Sequence, residues 1–142
     1  MILGAVLTLA LYTEVSQPGE TMDEFAIRIA PRAMAETTQR DAEVCVSIET
    51  HPDGLMRIAV QTDGKPLSCT VPAGGQTFHT HTRLGGPRWS SADYKAPGYL
   101  AWDQRVFHQQ GPRQTRMVGR FNRLPSQRTF CSSQTDCLAE LP

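Results

Sequence analysis

Between Thr21 and Arg40 the chain carries its one long stretch of helical signal, and everything C-terminal to it is cut by glycine and proline into short runs. That pattern implies a helix laid against a sheet of short strands. Thr21 stands as an N-cap with Glu24 three residues on, a capping box, and Asp23 adds a second acid where the helix dipole favours negative charge. Met22, Phe25, Ala26, Ile29 and Ala33 recur at helical spacing and form an apolar stripe, with Ile27 and Met34 off it. Pro31 lacks the amide proton an interior helix position uses, so the helix is expected to kink or break into two pieces there.

The short runs read as strands. "EVCVSIET", residues 43–50, is β-branched and ends at "HPDG", whose Pro-Asp-Gly is turn chemistry. "LMRIAVQT" follows as the second arm of a hairpin, and "PLSCTV" is expected to continue the meander as a third strand. "TFHTHTR" has strand composition. "SSADYKAP" signals a short helix that Pro97 must end, "GYLAWDQRVFHQQ" two strands joined at Asp103-Gln104, and "RMVGRFNRL" a last strand or helix.

With 142 residues there is room for one substantial core. The formal net charge of zero gives no overall attraction to nucleic acid, and no nucleic-acid partner is expected. Charge is unevenly spread: residues 1–54 hold nine acids against three arginines, while Arg105, Arg113, Arg116, Arg120, Arg123 and Arg128 follow with no acid between Gln104 and Thr135. This basic tract is merely solvated, docks on the acidic N-terminal part, or faces an acidic partner. "MILGAVLTLALY" is too short to span a bilayer and reads as an export-signal remnant or a first strand. Of four cysteines, Cys131 and Cys137 are the expected disulfide, and Cys45, inside an apolar run, reads as a small buried side chain. Export to the periplasm or beyond is slightly favoured over the cytoplasm.

His79 and His81 lie two apart on an expected strand and so project from one face, roughly 6–7 Å apart along it. Asp93 follows after an eleven-residue connection, Thr82 to Ala92, whose length decides whether its carboxylate returns to the histidines. Two imidazoles and one carboxylate leave a fourth tetrahedral position open, the composition of catalytic rather than structural zinc. Hydrolysis at such a site needs a carboxylate to move protons, and Glu43, opening an apolar strand, is the candidate. Ser90 is placed to hydrogen-bond a developing oxyanion, or to cap the short helix, or both. His51, between Glu49 and Asp53, reads as part of a solvated turn, and His108 as a surface histidine. Trp89 and Trp102 read as core or cleft walls.

Glu43 with "VCVSI", then His79-Thr80-His81, then Ser90-x-x-Asp93 resembles the JAMM motif of the JAB/MPN-domain zinc metalloproteases over residues 22–110. "APGYLAWDQRVFHQQGP" is similar to the strand pair that follows in bacterial members, including terminal domains of secreted polymorphic toxins. The resemblance implies Zn2+ on His79, His81 and Asp93, Glu43 as general acid/base and Ser90 on the oxyanion side. It implies an α/β (α+β) fold: a curved mixed sheet with an N-terminal helix and a short helix after the HxH strand, in a cytidine-deaminase-like three-layer arrangement. The domains are then an apolar segment 1–20, a metallohydrolase domain 21–128 and a cysteine-containing tail 129–142. The expected substrate is a polypeptide, cleaved at a peptide or isopeptide bond, and the basic tract suggests an acidic one. A non-catalytic binding module of the same fold and a secreted antibacterial effector are the alternatives. The chain departs from the family at Thr82, where proline is common, at Val46, where glycine is common and a larger side chain would narrow the cleft, and in a loop one residue longer before Ser90.

Overall fold

The computed structural model describes residues 10–71 and 75–125, and within them a seven-stranded mixed sheet with one long helix. The strands are β1 (Tyr12–Val15), β2 (Cys45–Thr50), β3 (Met56–Val60), β4 (Gln76–Thr80), β5 (Gly98–Trp102), β6 (Arg105–Gln109) and β7 (Thr115–Arg120), in the order β1-β3-β2-β4-β5-β6-β7. The helix, α1, runs Met22–Arg40. β1 pairs with β3, so the N-terminal segment contributes a sheet edge beginning at Tyr12. Residues 1–9 of the apolar start lie outside the described residues, as do Cys131 and Cys137.

The capping box forms: Thr21 Oγ accepts from the Glu24 amide, and the Glu24 carboxylate accepts from the Thr21 amide. The expected break at Pro31 does not occur, and α1 is one helix. An interior proline costs about 3 kcal/mol. The helix offsets this by burying Phe25, Ile29 and Met34 almost completely, at about 1.5–3 kcal/mol each. Met34, expected off the apolar stripe, is fully buried, because the covered face is wider than the stripe and also takes in Ala30 and Thr37.

β2 and β3 form the expected hairpin. "PLSCTV" is not a strand, because Cys69 is bonded to Cys45 in a disulfide and the segment is held as a loop beside β2. Cys45 is buried, as expected from its apolar surroundings, but it is a disulfide partner as well. Asp103 and Gln104 make the expected turn between β5 and β6, and residues 115–120 are strand rather than helix.

One pairing determines where a site can form. β4 and β5 are parallel, so the chain between them must cross a face of the sheet to return to the start of β5. α1 covers one face, where Val46, Ile48, Phe78, Tyr99 and Val106 form the core. Residues 81–97 cross the other. The short helix expected there is a single 3-10 turn, Asp93–Lys95, so among the described residues no α-helix forms a third layer.

Candidate metal centre

Alternation along β4 sends Phe78 and Thr80 toward α1 and leaves His79 on the opposite face. The Thr80 hydroxyl bonds to Thr37 on α1 and accepts from the Val44 amide, which fixes the strand between the two histidines. His81, one residue beyond β4, turns back to His79, and their Nε2 atoms lie 3.1 Å apart. The crossover then returns Asp93 to the pair: its carboxylate oxygens are 3.3 Å from His79 Nε2 and 3.7 Å from His81 Nε2. The longer loop does not displace it. One ligand atom from each of His79, His81 and Asp93 lies within 4.8 Å of the others, so the three could together hold a metal ion.

The donor chemistry fits a cation. His81 Nδ1 meets the Gly86 carbonyl at 2.8 Å, and since a carbonyl only accepts, Nδ1 carries the proton and the Nε2 of the neutral ring is a free lone pair. Burial, with His79 beside it, lowers the His81 pKa to about 4 against smaller opposing effects of Gly86 and Asp93, which keeps the ring neutral at pH 7. Burial raises the Asp93 carboxyl, but the hydrogen bond and charge of His79 and the Ser90 amide outweigh it and bring the group to about 2.

Glu43 arrives from the start of β2. Its side chain is buried, and one carboxylate oxygen lies 3.7 Å from His81 Nε2. Burial pushes this carboxyl up to about 7, with the Asp93 charge adding and His79 opposing. All five expected site residues line one cavity of about 1030 Å³. Ser90 is exposed at its edge, its Oγ accepting from the Asp93 amide at 3.3 Å while its own amide donates to the Asp93 carboxylate at 2.7 Å. Trp89 walls the cavity with its ring 6.0 Å from that of His79, and Trp102 is core. Val46 points into the core under α1 and does not narrow the cleft.

Two supports were not foreseen. Gln109 is almost fully buried, and its amide nitrogen donates to the Asp93 and Ala96 carbonyls at 2.8 and 2.6 Å, holding the turn that presents Asp93. Nothing in the sequence singled it out, since β6 also carries Arg105 and His108. The loop before β4 is tied to the site's frame: the Glu43 amide donates to the Lys65 carbonyl, Thr62 to the Glu43 carbonyl and Thr82 to the Pro66 carbonyl.

The remaining histidines divide. His51 lies in the exposed turn, 3.7 Å from Glu49. His108 is buried and not at the surface, because its position on β6 faces α1's side of the sheet; its ring packs on Tyr99 and its Nε2 meets Gln76 at 3.0 Å. The arginine tract is partly docked: Arg116 forms a paired contact with Asp23, and Arg105 is buried.

No family model, curated protein or solved structure matches the chain. No described helix is long and apolar enough to cross a membrane.

Proposed function

We propose that the protein is a zinc-dependent hydrolase of peptide or isopeptide bonds, of the JAB/MPN type that the order Glu43, His79, His81, Ser90, Asp93 resembles. The observation that carries this is the Glu43 carboxylate, buried 3.7 Å from His81 Nε2 beside a three-donor cluster that could hold an ion. His79, His81 and Asp93 would hold the zinc, and when bound it would polarise the scissile carbonyl and lower the pKa of water.

Glu43 removes a proton from the attacking water and delivers it to the leaving nitrogen. A carboxyl near 7 exchanges protons readily at neutral pH, and a dication beside it would bring its pKa down, toward the base form the first step needs. The Ser90 Oγ already accepts from the Asp93 amide, which leaves its O–H proton to donate to the oxyanion. Trp89 shields one side of the cavity from water.

Wild-type protein should take up about one zinc per chain, and His79→Ala/His81→Ala should take up none. Glu43→Gln should keep the metal and lose hydrolysis of an unselected peptide mixture by roughly 10²–10⁴-fold, the usual worth of general acid/base catalysis. A wild type that refuses zinc, or a Glu43→Gln variant with full turnover, rejects the reading.

The second reading is a secreted effector using the same site. The Cys45–Cys69 bridge favours it, because disulfides persist in oxidising compartments. Export-directed expression should then be toxic, and Glu43→Gln should relieve the toxicity.

A further inference from the structure

Arg28, Arg32, Arg40 and Arg57, the only basic residues before residue 60, each have a carboxylate partner: Glu14 and Glu20, Glu14, Glu36 and Asp53 respectively. The next four, Lys65, Arg83, Arg88 and Lys95, form no ion pair with any described residue. Residues 64–102 hold these four cations and one acid, Asp93, so this stretch carries an excess of basic side chains.

Two of these cations line the cavity. Arg88 and Lys95 lie on either side of Ser90 and Asp93 in the crossover, both exposed, and Leu67 lines the same cavity at 62% exposure. Of the charged groups lining the cavity, Glu43 and Asp93 balance Arg88 and Lys95. A dication held by the histidines and Asp93 leaves the cleft with a surplus of two positive charges.

We infer that the cleft takes an acidic polypeptide segment, with Arg88 and Lys95 as its charge partners and Leu67 meeting an apolar side chain of the same segment. This rests on the reading of the centre as hydrolytic and specifies its substrate. A polypeptide suits the walls better than a nucleic acid does, because two cations are few for a phosphate backbone and the cleft floor carries two carboxylates. None of the arginines of the basic tract on β6 and β7 lines the cavity, and Arg105 is buried while Arg116 is engaged by Asp23.

The test is binding, not turnover. Full-length Glu43→Gln protein is titrated with fluorescently labelled decapeptides of alternating Gly-Glu, Gly-Gln and Gly-Lys, and with a ten-nucleotide oligothymidylate, with and without zinc. The Gly-Glu peptide should bind at least about fivefold more tightly than Gly-Gln, and zinc should tighten it by about fivefold or more, the lower end of usual coupling between sites. The preference should shrink as salt rises. Arg88→Glu/Lys95→Glu should abolish it while zinc content and unfolding midpoint stay unchanged. Equal binding of Gly-Glu and Gly-Gln peptides overturns the inference, as does tighter binding of the oligonucleotide. Hydrolysis of an unselected peptide mixture by wild type, without acidic preference, overturns it and leaves the hydrolytic reading standing. Acidic preference in a protein that refuses zinc supports the binding surface and removes the hydrolase.

Discussion

Four histidines carry three different fates, a shared donor cluster for His79 and His81, an exposed turn for His51 and the core for His108, and neighbours in sequence do not separate them. His79 and His81 were legible because a two-residue spacing on a strand has one geometric meaning. Glu43, 36 positions upstream of His79, was legible as an acid opening an apolar strand and through a motif, but its approach to the histidines was not, because nothing local says that β2 and β4 are adjacent. His108 was misread because its burial depends on α1 and β7 closing over β6. There burial and the Arg116 charge hold its pKa below the usual imidazole value, opposed by Asp23 on α1, with Tyr99 of β5 and Gln76 of β4 as its uncharged contacts. A depressed histidine pKa means that the unfolded chain takes up its proton first as pH falls. The folded state therefore loses stability below about 6.5, the unperturbed value, until the folded ring also titrates. His108→Gln should lose less stability between pH 7 and pH 5 than wild type in urea titrations. His79 and His81 are common to both proteins, so the difference isolates His108; equal acid sensitivity rejects the assignment.

At the scale of elements, local signals were sound where local energies decide and failed where packing decides. The α1 start, the β2–β3 hairpin and the β5–β6 turn rest on caps and turn residues and formed as expected. Pro31 did not break α1, because the buried face opposes a single lost hydrogen bond. Pro31→Ala should therefore stabilise the protein by about 1–3 kcal/mol in urea unfolding, since alanine restores the amide and removes the ring clash. No gain would mean that the helix had already relaxed around the ring. The crossover between β4 and β5 was the least legible element, since a 17-residue connection with one 3-10 turn carries no periodic signal. Its placement depends on Gln109, whose two donated hydrogen bonds hold the turn bearing Asp93. Gln109→Leu should weaken zinc binding about 10–100-fold, the usual effect of removing support behind a ligand, while His79 and His81 still bind. Unchanged zinc affinity with the fold intact would show that Asp93 is positioned without Gln109.

Across the whole molecule, the acidic N-terminal part and the basic C-terminal part were legible as a charge asymmetry, and the Asp23–Arg116 contact shows part of it closing between α1 and β7. The bridge between Cys45 and Cys69 was not, because four cysteines allow several pairings and only the folded chain brings these two together. It joins the strand that follows Glu43 to the loop that walls the cavity, over a sequence separation of 24. Closing a loop of that length removes unfolded-state entropy worth about 3 kcal/mol. The same loop is also held without the bridge, by the Lys65 carbonyl on the Glu43 amide, Thr62 on the Glu43 carbonyl and Thr82 on the Pro66 carbonyl. Cys45→Ser/Cys69→Ser should therefore still fold and still take up zinc, but unfold at lower urea with a loss of about 3 kcal/mol. Wild type treated with a phosphine reductant, which cleaves the bridge and leaves both thiols, should move to the variant's midpoint, while the variant itself should not respond. If the two proteins unfold together before reduction, the bridge contributes nothing to stability. If the variant binds no zinc, the loop's hydrogen bonds are insufficient and the bridge is what holds the wall of the site.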